Sequence, residues 1–345
     1  MREIMTATIE LAPIPADVES TIEFALAQNE RAQDVVATAV KAGLRNVYFV
    51  GCGGSYTGHI PASYLLETRS VVPTYILNSD EFNTRKPAQL GKGSLVITGS
   101  HTGTTKETVR AAEFAKNAGA TIASVSRENS SVLAQHAHAA FSYESKTTVY
   151  AAKQVLGMQL AYAVLEQTGQ AGDWAASRTA LKALPKALLV TQHEGEELSA
   201  RIANDIKDAA NTYVLGAGPS WAGAYGLSMC YLMEMQWMHS GAFNSGEFFH
   251  GAFEIITEDT PVILFQAEDA SRPMGERARV FLEKYTKRLF VIDSKDFSLP
   301  GVPQAQRGEV SAIATGTFTT RLAKHLEHAR QHSLETRRYM FKVEY

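Results

Sequence analysis

Three stretches of this sequence carry side chains that could do chemistry together. Residues 245–255 read SGEFFHGAFEI, with Glu247 and His250 three residues apart among phenylalanines. Ionisable groups rarely sit in so apolar a run without a partner or a task. The stretch is a capped helix start, a metal site or half of an acid–base pair. Residues 231–241, YLMEMQWMHSG, set Glu234 in an apolar helical run. Apolar burial there would raise its pKa and make it a stronger base; the plain alternative is a solvent-facing helix glutamate. Residues 99–108, GSHTGTTKET, crowd the hydroxyls of Ser100, Thr102, Thr104, Thr105 and Thr108 around Gly99 and Gly103. Hydroxyls and backbone N–H groups at a strand end, just before a helix, suit a phosphate; the bland reading is a helix-capping loop.

The elements that must position these groups form a repeat. FVGCGGSYTG at 49–58 returns as VLGAGPSWAG at 214–223, and NSDEF at 78–82 as NSGEF at 244–248. Two matches at nearly one offset predict two copies of one α/β unit. In each copy a short apolar strand runs into a glycine–serine turn and then a helix. In the first copy Gly53, Gly54 and Ser55 form that turn, where free N–H groups welcome an anion. Further strands are expected at SLVITGS, ATIASVS, TPVILFQ and RLFVIDS, alternating with helices such as 106–118 and 272–286. Such alternation predicts α/β architecture: parallel sheets with helices on both faces, a flavodoxin-like three-layer sandwich. The polar stretch 170–195 is expected to be an irregular junction. The expected division is 1–170, a linker at 171–195, a second unit at 196–330 and a tail at 331–345.

The copies diverge where chemistry is at stake. At the place of the hydroxyl turn the second copy reads FQAEDASRPM, whose two acids would repel a phosphate. It carries His250 where the first copy has Thr84. One half thus keeps an anion site, and the other supplies ionisable groups. His250 can pass a proton near neutral pH, or can be a core histidine bonded to a carbonyl. Glu247 reads first as a helix-start acid, with substrate contact a second role.

Composition sets the outer limits. The chain has 345 residues, 45% hydrophobic, with a net charge of −3, which makes nucleic acid and anionic membranes poor partners. No apolar stretch is long enough to span a bilayer, and the N-terminal MREIMTATIELAPIP lacks an apolar signal core. Two cysteines, Cys52 and Cys230, give no disulfide framework and fit a reducing cytoplasm.

GCGGSYTG, GSHTGTT and LMEMQWMHSGAFNSGEFFHG resemble the sugar isomerase (SIS) family. Within it they are similar to the isomerase half of glucosamine-6-phosphate synthase. They are more similar to the fructosamine-6-phosphate deglycases, above all those acting on fructose–aspartate 6-phosphate, whose ending the tail ARQHSLETRRYMFKVEY also resembles. The resemblance implies two tandem SIS domains, no cofactor, and a homodimer with active sites shared between subunits. It also implies a phosphosugar carrying an amino acid, cleaved to glucose 6-phosphate. By the same resemblance Ser55, Ser100, Thr102 and Thr105 bind phosphate, Glu234 shuttles a proton and His250 opens the sugar ring. His101 stands where the synthase has glutamine, and the spacing of KTTVYAAKQ leaves the role of Lys153 open. Other SIS activities, aldose–ketose isomerisation or amino-sugar deamination, use the same pair of groups, and a phosphosugar-sensing module is the non-enzymatic alternative.

Remaining candidates weigh less. His325, His328 and His332 share a helical face at possible metal spacing, and His136 and His138 sit in HAH, but neither set includes an HExxH pattern or a cysteine pair. Cys52 lies at a helix start, where a thiol pKa can fall, yet no histidine partner is evident. Arg337 and Arg338 are a solvated charge run or a lid that meets the amino acid's carboxylate.

Overall fold

The glycine-rich turn after residue 51 is where the sheet hands its ligand-facing edge to a helix. The computed structural model describes residues 8–344, so the first seven residues of the N-terminal stretch, and the last of the tail, lie outside it. Two helices come first, α1 (Val18–Leu26) and α2 (Asn29–Lys41). In α2, Ala32, Val35, Val36 and Ala39 fall at helical spacing and are buried. Then follow β1 (Asn46–Gly51), α3 (Gly54–Arg69), β2 (Thr74–Asn78), α4 (Ser79–Arg85), β3 (Ser94–Gly99), α5 (Lys106–Asn117), β4 (Thr121–Ser126), β5 (Ala139–Ser142) and α6 (Val149–Gln167). The strands pair in parallel in the order β2-β1-β3-β4-β5. Every residue of β1, β3 and β4 is buried, as expected where helices cover both faces of a parallel sheet.

Next come α7 (Trp174–Glu194), α8 (Glu196–Ile206), β6 (Thr212–Gly216), α9 (Trp221–Tyr225), β7 (Ser240–Asn244), β8 (Val262–Gln266), α10 (Arg272–Tyr285), β9 (Leu289–Asp293) and α11 (Arg307–Arg330). The second sheet is also parallel, in the order β7-β6-β8-β9. That order repeats β2-β1-β3-β4 strand for strand, so the sequence repeat is also a repeat of topology. The first sheet has one strand more.

Residues 174–194 differ from the irregular junction expected there: they form the 21-residue helix α7. Asp173 caps it by accepting from the Ala176 N–H at 3.0 Å. Lys182, Lys186 and Glu194 lie on the outward face of an amphipathic helix whose Ala180, Leu181, Leu184 and Leu188 are buried. These join one core that runs from Phe49 and Ile97 under the first sheet to Val214 and Ile263 under the second. Each such large apolar side chain contributes about 1.5–3 kcal/mol by leaving water.

Candidate active site

Two turns meet at the carboxyl ends of β1 and β3. Gly51 pairs with Gly99 across the sheet, which sets the turns side by side at the edge where open α/β sheets bind ligands. Gly53 takes φ +51°, a left-handed conformation that glycine adopts without strain, and lets α3 start at Gly54. Gly99 is required by contact: a Cβ there would come 2.6 Å from His59 Nε2 and 3.3 Å from Ser55 Cβ. In the second turn Ser100 is buried, its hydroxyl accepts the Gly103 N–H at 3.1 Å and it lies 2.8 Å from the Thr105 hydroxyl. Thr105 directly precedes α5. Thr102 is exposed, bonded to the Thr104 hydroxyl at 2.7 Å. The structure therefore brings together Gly53, Gly54, Ser55, Ser100, His101, Thr102 and Thr105.

Beneath these turns lies Lys153 on α6, 6% exposed, its Nζ donating to Ser55 Oγ at 3.1 Å. Burial pulls the Lys153 ammonium down to about 8. His101 Nδ1 lies 2.7 Å from the Tyr143 hydroxyl. Burial, then the charge of Lys153, pull His101 down to about 4, so its ring is neutral at neutral pH.

Glu234 arrives by an unusual helix. After α9 the chain widens into π-helical turns over Gly226–Met235, closed by Gln236 N–H donating to Tyr231 O at 2.9 Å. Such widening gathers at functional sites because it re-aims side chains. Cys230, on the same segment, is buried against the first turn: a Cβ on Gly54 would lie 3.9 Å from its sulfur. Glu234 follows one turn later, half-buried, and burial raises its carboxyl above the usual range while Arg337 opposes the rise. The Arg337 guanidinium is 3.0 Å from the Glu234 carboxylate and also donates to Leu334 O at 2.6 Å. Arg338 stacks 4.3 Å over the ring of Trp237. Trp237 itself takes φ +55°, a costly conformation for a large side chain, and His332 also packs against its ring at 4.7 Å. Both tail arginines thus contact the Glu234 segment.

His250 and Glu247 lie elsewhere. Both are exposed on the short 3-10 turn Glu247–His250, after the carboxyl end of β7. Glu234 lies near the other end: Leu232 O accepts the Met238 N–H at 2.9 Å, and His239 O the N–H of Thr212, the first residue of β6. The five residues of β7 separate the two ends by roughly 13 Å. The fold does not carry His250 to its own chain's Glu234.

The lesser candidates resolve into structural contacts. No group of three His, Cys, Asp or Glu among the described residues could hold a metal. His325 Nε2 lies 3.1 Å from Glu196, and His328 Nδ1 2.8 Å from Ile9 O. Of the two acids in the second copy's turn, Glu268 is paired with Arg307 at 2.8 Å, and Asp269 accepts the Ser271 N–H at 2.8 Å. The sequence alone does not assign Lys153 a role or point to Cys230, Tyr143 and His59 as neighbours of the turns. Only Cys230 left a signal, standing four residues before Glu234.

The geometry agrees with comparisons to known proteins. The family model described as "SIS domain" matches residues 40–168. The fructosamine deglycase FrlB of Bacillus subtilis is 33% identical over 87% of this chain and 92% of its own length. The chain belongs to the SIS family. It is an enzyme of that family, built on parallel sheets flanked by helices. A fructoselysine 6-phosphate deglycase of Escherichia coli K12 is 26% identical over 76% of this SIS chain and 77% of its own. The crystal structure of a phosphosugar isomerase, so described, from Salmonella typhimurium LT2 superposes with a TM-score of 0.88 at 33% identity, covering 92% of this chain and 97% of that one. No described helix of this SIS enzyme is long and apolar enough to cross a membrane.

Proposed function

We propose that this enzyme is a deglycase for Amadori compounds, 1-amino-1-deoxyfructose 6-phosphates with an amino acid on nitrogen. The observation that carries the reading is the packing of Cys230 against Gly54 in the glycine turn, with Glu234 one turn further along the same segment. The deglycase names of its relatives agree. The phosphate takes the turns of Gly53, Gly54, Ser55, Ser100, His101, Thr102 and Thr105. Ring opening moves the C2 hydroxyl proton out and a proton onto the ring oxygen, the task of His250. Glu234 removes a proton from C1, leaving a C1–C2 enaminolate, and returns it at C2 while the nitrogen's proton passes to the C2 oxygen, to give the imine of glucose 6-phosphate. Water adds to the imine carbon, and the amino acid leaves as the amine. A half-buried carboxylate with a raised pKa suits both halves of that proton transfer.

The chain is read as two tandem SIS domains, 1–170 and 196–330, joined through 171–195 and followed by the tail 331–345. The repeated strand order supports this division. The separation of His250 from Glu234 along β7 supports a homodimer in which one subunit's His250 completes its partner's site. Arg337 already grips a carboxylate, that of Glu234, which favours conjugates of Asp, Asn or Gln whose α-carboxylate can engage the same arginine, with Arg338 beside it. Glu247, on the turn with His250, joins the sugar-facing surface. A lysine conjugate is the second reading, favoured by the fructoselysine name of the Escherichia coli relative. The test is stoichiometry. Fructose–aspartate 6-phosphate should give glucose 6-phosphate and free aspartate in equal amounts; turnover of fructose 6-phosphate or glucosamine 6-phosphate alone would assign the site to an isomerase or deaminase.

A further inference from the structure

Lys153 is a buried ammonium with no carboxylate partner among the described ion pairs. Among the described residues its one side-chain hydrogen bond is to Ser55 Oγ, at 3.1 Å. The ionisable groups facing it are uncharged at neutral pH. His59, from α3, is fully buried and held down at about 3, and His101, from the second turn, at about 4. The Cys230 thiol, from the π-helical segment, is pushed up to about 12 by burial and then by Glu234, and the Tyr143 ring lies 6.0 Å away. An isolated buried cation is expensive and persists where a task requires it. The turns above offer an anion only hydroxyls and N–H groups. Arg127 behind them is already paired with Glu128, and Lys106 is exposed at the start of α5.

We propose that Lys153 is the permanent counter-charge of the phosphate site, acting through Ser55. The inference rests on the reading that the site takes a phosphosugar. The ammonium donates to the Ser55 oxygen, which leaves the Ser55 O–H free to donate outward. A donor polarised by a cation makes a stronger hydrogen bond to an anion than an isolated serine does. The phosphate dianion in turn supplies the charge that Lys153 lacks. Lys153 is thus a positioning and charge-balancing residue that never needs to touch the ligand.

The test is calorimetric titration of the full chain with glucose 6-phosphate, for wild type, Lys153→Met and Lys153→Gln, with melting temperatures of the unliganded proteins. Both substitutions should weaken binding at least ~10-fold, the scale of a hydrogen bond to a charged group. The melting temperature of Lys153→Met should equal or exceed that of wild type, because methionine fills the apolar sheath without a charge to desolvate. Should methionine prevent folding, glutamine decides alone. Wild-type affinity in either variant overturns the proposal: in Lys153→Met it removes the residue from binding, and in Lys153→Gln it reduces the role to a neutral hydrogen bond. A wild-type protein that binds no glucose 6-phosphate overturns the phosphosugar reading itself, a separate result from equal binding by wild type and variants.

Discussion

The tail residue Arg337 holds its guanidinium 3.0 Å from the carboxylate of Glu234, on the π-helical segment. Two opposing effects therefore act on one carboxyl. Burial disfavours its charge and raises its pKa, and the arginine favours the charge and lowers it. Burial is the larger. Arg337→Gln removes the lowering influence alone, so the Glu234 pKa should rise further. A base works ionised, and its activity is lost as pH falls through its pKa. The acid limb of the kcat/KM profile should then move to higher pH in Arg337→Gln. An acid limb that stays in place would assign that ionisation to another group.

Glu234→Gln and His250→Asn should each lower kcat by at least ~10²-fold, the usual contribution of general acid–base catalysis. Neither residue belongs to the turns proposed to hold the phosphate, so glucose 6-phosphate affinity should stay within a few-fold of wild type. Near-normal turnover in either variant removes that residue from the chemistry.

Because β7 keeps His250 away from Glu234 within one chain, the two inactive variants should complement each other. In the proposed homodimer, a mixed pair of Glu234→Gln and His250→Asn subunits would hold one intact shared site. Activity should reappear on subunit exchange. Mixed dimers demonstrated by native mass spectrometry and still inactive would contradict the shared site.

The two hydroxyls of the second turn should separate. Thr102 is exposed and, among the described residues, its hydroxyl bonds only its neighbour Thr104, so Thr102→Ala should weaken glucose 6-phosphate binding by about 1–2 kcal/mol and leave the melting temperature unchanged. Ser100 also accepts the buried Gly103 N–H, so Ser100→Ala should lose binding and about 1 kcal/mol of stability together. Full affinity in both would move the phosphate away from this turn.

Much of this was written locally in the chain. The hydroxyl turn was legible because glycines and hydroxyls fall within ten residues at a strand end, and the repeated unit because its glycines recur at a constant offset. What was hidden was long-range. Lys153 reaches Ser55 across 98 residues, through the packing of α6 on α3. Arg337 meets Glu234 in a tail that Arg330 and His332 anchor to Gln236, whose amide donates to His332 O at 2.7 Å. Helix α7 was mistaken for a junction because its exposed polar residues obscured the spacing of Leu181, Leu184 and Leu188. The π-helical widening had no sequence signal, since residues 226–235 read as an ordinary apolar helix.

The most direct test of the account is release of glucose 6-phosphate, followed by a coupled assay, from a panel of Amadori 6-phosphates carrying Asp, Asn, Gln, Glu and Lys. The account predicts release from the Asp, Asn and Gln conjugates, with kcat/KM above that of the Lys conjugate, whose extra cation faces Arg337 and Arg338. No release from any conjugate, alongside turnover of fructose 6-phosphate or glucosamine 6-phosphate, would contradict the deglycase reading; preference for the lysine conjugate would keep the reaction and overturn the role given to the tail.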